Sequence, residues 1–154
     1  MFWISLDWDF VTGDQRRFGG GRGKEPWERW EDTLEAVKGL LSKTNLSRVV
    51  VRDDHHLIVP FLRPGDMVWH MDEHTDEGPT CYDLHCGNWV SRSRKFGVKV
   101  RNISDCDLLR LRPHPDANLF IAWSKEWTPI DSDGDLLRFL AHLRMPIDLD
   151  LTPA

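Results

Sequence analysis

The chain has 154 residues with 25 acidic and 20 basic, a formal net charge of -5 and 29% charged content, as expected for one globular domain over residues 1–154. The acidic balance excludes a general phosphate-backbone binder, which carries a clustered basic surplus. No stretch approaches the roughly 20 apolar residues of a membrane-spanning helix.

In chain order, Phe2-Trp3-Ile4-Ser5-Leu6 reads as a first strand and runs into Asp7-Trp8-Asp9. Phe18 to Lys24 is a glycine-rich loop. It lacks the spacing of a phosphate-binding loop and is read as a linker or a lid. Pro26 suits a first helical turn, and Trp27, Trp30, Leu34, Val37 and Leu41 form one face of an amphipathic helix. Arg48–Arg52, with Val49-Val50-Val51, is a second strand, and it runs into Asp53-Asp54-His55-His56. Leu57–Leu62 reads as a short helix despite Pro60. Met67–Met71 is a third strand and runs into Asp72-Glu73-His74-Thr75-Asp76. Asn88–Phe96 reads as a helix ended by Gly97. Val98–Ile103 and Leu119–Trp123 are further strands. Ser132 or Asp131 caps a last helix through Leu136, Leu137, Leu140 and Leu143. Strands alternating with helices predict an α/β, three-layer fold with a mainly parallel sheet.

Strand after strand ends in ionisable residues, and parallel sheets bind ligands beyond the carboxyl ends of their strands. Asp7 and Asp9 read as one strand end, with both carboxylates on the same side. Carboxylates that close need a cation or a shared proton. Asp72, His74 and Asp76 repeat the two-residue step with an imidazole added. Mixed oxygen and imidazole donors suit Mn, Fe or Zn. Each cluster alone is also compatible with a solvated turn. Together, three adjacent strand exits supply the inventory of a two-metal site. Cys81, His85 and Cys86 lack a second pair with zinc-finger spacing. The three cysteines cannot all pair within one chain, and the N-terminus has no basic segment before Asp7. Free thiols in the cytoplasm are therefore expected. Trp8, Trp89 and Trp127 lie beside the motifs as pocket walls or core.

Asp72-Glu73-His74-Thr75-Asp76 resembles the Asp-x-His-x-Asp motif of the ureohydrolases, the arginase superfamily. Ser5-Leu6-Asp7-Trp8-Asp9 resembles their Ser-x-Asp-x-Asp motif, and Asp54-His55 their Asp-His. The string from Asp53 to Asp76 is closest to a compact arginase-like family that includes bacterial peptide arginases. The resemblance covers residues 1–10 and 49–90, with an echo at Ser124 to Pro129. It implies that Asp7, Asp9, His55, Asp72, His74 and Asp76 hold two Mn²⁺ ions, with His56 as the alternative to His55. It also implies Asp9 and His85 as proton carriers and Glu126 as the carboxylate receiving a guanidinium. Asp14 and Asp83 are candidate outer partners. The Asp-x-Asp strand opens this chain, whereas in arginases it follows the other motif. The implied fold is thus a reduced, circularly permuted arginase-like one.

The activity implied by the resemblance is that of a peptide arginase. Such an enzyme would convert arginine in a precursor peptide to ornithine and urea, in the cytoplasm, without nucleic acid or membrane. A homodimer could complete so small a site. The competing readings are a single-zinc deacetylase or other amidohydrolase, and an inactive peptide-binding maturation partner.

Overall fold

The computed structural model describes residues 1–12, 24–125, 128 and 132–152. Its elements are β1 (Phe2–Asp7), α1 (Trp8–Thr12), α2 (Lys24–Ser42), β2 (Asn45–Arg52), a 3₁₀ helix (His55–Phe61), β3 (Met67–Met71), α3 (Trp89–Lys95), β4 (Lys99–Ile103), α4 (Asp105–Leu108), β5 (Asp116–Ala122), α5 (Asp133–His142) and β6 (Ile147–Asp150). The sheet order is β4-β3-β1-β5-β2-β6, and every neighbouring pair is parallel. The fold is α/β with helices on both faces.

Period-two burial builds the layers. Ile4, Leu6, Val49, Val51, Leu119 and Ile121 face one side. There they pack with α1, α2 and α5 through residues such as Phe10, Val37 and Phe139. Trp3, Val50, Val68, Phe120 and Ala122 face the other side, under Ile58 of the 3₁₀ helix and Trp89 and Val90 of α3. Near-continuous apolar strands are what a parallel sheet covered on both faces requires.

Three expectations need correction. Asp9 does not extend the first strand. The strand stops at Asp7, and Trp8 already begins α1, so Asp9 projects from the first turn of a helix. The three strand exits are not adjacent, because β5 lies between β1 and β2. The terminal β6 and the short α1 and α4 add to the expected elements, being too short to show a period in the sequence. The short helix expected at Leu57–Leu62 is present as a 3₁₀ helix over His55–Phe61, with Pro60 inside it and Leu62 as its C-cap.

The connections leaving β1 and β3 lie on opposite faces, α1 and α2 on one and α3 on the other. These two strands are hydrogen-bonded neighbours. A crevice therefore opens beyond their carboxyl ends, at the switch point where parallel sheets place ligands. No helix among the described residues is long and apolar enough to cross a membrane.

Candidate metal centre

The sheet register lays down the floor of the site. Ser5 of β1 pairs with His70 of β3, and His70 pairs with Asn102 of β4. These polar side chains lie on the α3 side of the sheet, in a row otherwise filled by apolar groups. Two residues further along the same strands come Asp7 and Asp72. The row is roofed by His55, the first residue of the 3₁₀ helix. Its ring stacks on Phe120 of the intervening strand at 5.9 Å between centroids and 6° between planes. His55 thereby crosses β5 and enters the site of β1 and β3.

Two groups of ligand-type side chains result, each with donor atoms within 4.8 Å of one another: His55, His70, Asp72 and Asp76, and Asp9, Asp72 and His74. Asp72 belongs to both. Its Oδ2 lies 3.0 Å from His55 Nδ1 and 3.2 Å from His70 Nε2, while its Oδ1 lies 3.3 Å from His74 Nδ1. The His74 backbone N–H donates to that same Oδ1 at 2.9 Å. Asp7 sits between the groups, with Oδ2 3.4 Å from His55 Nδ1 and Oδ1 accepting the Asp9 N–H at 3.2 Å. The six metal-ligand residues expected from the sequence therefore meet at one place.

The local backbone is bent to achieve this. Asp76 has φ 54° and Ser124 φ 52°, left-handed conformations that non-glycine residues rarely adopt. The bend at Asp76 returns its carboxylate to within 3.3 Å of His70 Nε2, where Trp89 Nε1 donates to it at 2.7 Å. Ser124, at the exit of β5, lines the crevice with Asp7. Strain of this kind concentrates at functional sites. Gly78 is required by a close approach: a Cβ there would sit 2.6 Å from the Gly87 carbonyl.

The electrostatics describe a buried charge cluster. Burial and the neighbouring Asp72 charge raise the Asp7 carboxyl. Burial and the charges of Asp7 and Asp72 raise Asp9 well above the usual range. Burial also lifts Asp76 to about 6, against its hydrogen bond from His70. Asp72 goes the other way. Burial would raise it, but three imidazoles hold it well below the carboxylate range. Burial opposes charge on His55, yet Asp7 and Asp72 outweigh that and raise the ring to about 10. Asp72 and Asp9 raise the half-exposed His74 to about 11. Without a metal, protonated imidazoles thus supply the positive charge that the carboxylates demand. Two carboxylates about 4 Å apart repel by about 4 kcal/mol at an effective dielectric near 20. A divalent cation removes that repulsion.

The donor set fits such a cation. Asp9 is only 1% exposed, and its Oδ1 has no hydrogen-bond partner among the described residues. A buried carboxylate oxygen left unpaired is costly and calls for an ion or a water. Carboxylates mixed with imidazoles match Mn, Fe or Zn. A cavity of about 550 Å³ opens directly onto Asp7, Asp9, Asp72, His74 and Asp76.

Other expected residues fall elsewhere. His56 belongs to neither group; its ring is half-buried and lowered by that burial. His85 is an exposed rim residue, and its Nδ1 accepts the Gly87 N–H at 3.0 Å. Its neighbours Cys86 and Gly87 line the cavity. Asp83 is exposed and does not enter the cluster. Trp8 packs into the core on the α2 side, so it is not a pocket wall. Trp89 is fully buried and acts on Asp76 through its indole N–H. Glu126, Trp127, Asp14, residues 18–23 and the side chains of Lys24, Trp27 and Trp30 lie outside the described residues.

His70 was not among the residues expected from the sequence. The available signal was its period-two relation to Asp72 and Asp76 inside an otherwise apolar strand. Compared with known proteins, the chain matches no family model, no curated protein and no solved structure, so the geometry is what describes this centre.

Proposed function

We propose that the chain is a two-manganese hydrolase of the guanidino group, converting arginine side chains of a precursor peptide to ornithine and urea. The observation that carries this reading is the pair of ligand groups joined through Asp72 at the floor of an open cavity. His55, Asp72 and Asp76 would hold one cation and Asp9, Asp72 and His74 the other, with Asp7 between them. Two divalent cations held there would supply an acidified water near neutral pH and polarise the group under attack.

The chain's own residues supply the rest. A C–O bond forms at the guanidinium carbon as the C–N bond to the side chain breaks. One water is consumed, and the products are urea and the ornithine ammonium. Asp9 Oδ1, buried and without a hydrogen-bond partner among the described residues, would take the proton that the water gives up. His85 Nδ1 accepts from Gly87, which puts the proton of the neutral ring on Nε2 as a donor for the leaving amine. Asp54 at the cavity wall adds negative charge for a cationic substrate. The cavity stands open, which suits a side chain presented on a peptide.

The test is mass spectrometry of an arginine-bearing precursor peptide incubated with manganese-loaded protein. Arginine-to-ornithine conversion with matching urea release is expected. No conversion of any arginine peptide, free arginine or agmatine would sink the reading. One zinc per chain with amide hydrolysis would favour a deacetylase-like amidohydrolase instead.

A further inference from the structure

His70 lies in the buried group of ligand-type side chains but is assigned to neither cation above, and its surroundings give it a role there. The sequence of hydrogen bonds begins on the surface. Arg94 Nη1 donates to Glu77 Oε1 at 2.9 Å, and Asn102 Nδ2 donates to the same oxygen at 2.5 Å. A carboxylate only accepts, so the Asn102 amide is oriented with its nitrogen toward Glu77. Its Oδ1 then faces His70 Nδ1 at 2.8 Å. A carbonyl oxygen also only accepts, so Nδ1 carries the hydrogen. In the neutral ring the lone pair is on Nε2. That nitrogen lies 3.2 Å from Asp72 Oδ2 and 3.3 Å from Asp76 Oδ2, two further acceptors.

A lone pair facing two carboxylate oxygens is reconciled by a second proton on the ring or by a cation between them, and the separations among the donors fit a cation. His55 completes the arrangement from above. Its Nε2 is held by the Ser5 hydroxyl, and its Nδ1 lies 3.0 Å from Asp72 Oδ2 and 3.8 Å from Asp76 Oδ2. Four donors tetrahedrally placed at metal–ligand distances of about 2.1 Å lie about 3.4 Å apart. The observed separations of 3.0–3.8 Å bracket that value. A protonated ring donates from both nitrogens, Nδ1 to Asn102 and Nε2 to the carboxylates; in the neutral ring with its hydrogen held on Nδ1 by Asn102, a cation takes the place of the Nε2 proton.

We propose that His70 is a direct ligand of the buried cation through Nε2, with Asn102 and Glu77 as positioning residues that fix its tautomer. The two metal positions are then chemically unequal. The buried one has two imidazoles and favours borderline metals such as zinc, iron or cobalt. The outer one has His74 as its only imidazole and is richer in carboxylate character. This rests on the cluster holding metal and is independent of the guanidino substrate.

The test is nuclear magnetic resonance of the full chain with nitrogen-labelled histidine, loaded with the spin-half isotope of cadmium. Through-bond coupling to cadmium is expected at His55 Nδ1, His70 Nε2 and His74 Nδ1. Coupling at His55 and His74 with a protonated, uncoupled His70 Nε2 would overturn the role of His70 alone. Absence of coupling at all three would overturn the metal centre as well. Coupling at all three without urea release would keep this inference and remove the guanidino reading. Asn102→Leu, at a half-buried strand end, should weaken cadmium at the buried position by about 10–100-fold and leave the outer one unchanged. Unchanged affinity at both would overturn the positioning role.

Discussion

The Oδ2 of Asp72 lies 3.0 Å from the Nδ1 of His55, although 17 positions separate the two residues in the chain and two strands, β1 and β5, lie between their own strands in the sheet. Asp72 alone belongs to both ligand groups, so its removal should be felt at both. Asp72→Ala is expected to abolish binding of both cations, whereas Asp9→Ala should remove only the outer one. Native mass spectrometry counts the ions, and retention of two in Asp72→Ala would refute the shared-ligand arrangement. Breaking the buried pairs should also cost about 3–5 kcal/mol in the metal-free protein, measurable by urea denaturation.

Metal binding should depend on pH in a definite direction. His55 and His74 are raised to about 10 and about 11, so both are protonated at neutral pH in the metal-free chain. A ligand nitrogen must lose its proton to bind. Apparent affinity at each position should therefore rise about tenfold per pH unit between about pH 6 and 8. Titration calorimetry in buffers of different ionisation enthalpy would report the released protons; a flat profile would contradict the assignment.

The same two imidazoles should make the metal-free protein less stable as pH rises. A histidine raised on folding stabilises fully below its unfolded value near 6.5, and that contribution fades as pH climbs through its folded value. Stability of the chelated protein should thus decline from about pH 6.5 toward pH 10. Manganese should flatten the decline, because a bound cation takes over the role of the protons. Thermal melts with and without chelator across this range are the check.

Trp89→Phe keeps most of the buried ring but removes the indole N–H that donates to Asp76 Oδ2 at 2.7 Å. Leaving a buried carboxylate short of a donor should cost about 1–3 kcal/mol of stability. Metal affinity should fall by about 10–100-fold, the usual effect of losing an outer partner of a ligand. A variant matching the parent in both measurements would show that Asp76 does not depend on this contact.

His85→Ala separates chemistry from metal binding. The ring is exposed and belongs to neither ligand group, so two manganese ions should remain. On the proposed reaction the rate should fall by about 100-fold or more, the usual scale for a lost acid–base group. Loss of metal in this variant would place His85 in the wrong role.

Much of this protein was legible in the sequence because it is local. Val49-Val50-Val51 and Phe2 to Leu6 declare strands covered on both faces, and spacing by two at Asp72, His74 and Asp76 declares a ligand-rich turn. Only the tertiary structure decided the rest. Asp9 left its strand because helix α1 begins one residue earlier, and Gly78 is needed because two loops meet there. His70 looks like one more member of a buried strand until Asn102, 32 positions away, fixes its tautomer. The order of strands, with β5 inserted between β1 and β2, is likewise absent from any local pattern. Periodicity encodes which side of its own element a residue faces. Convergence of a site depends on which distant element covers that side, and that is settled when the layers pack.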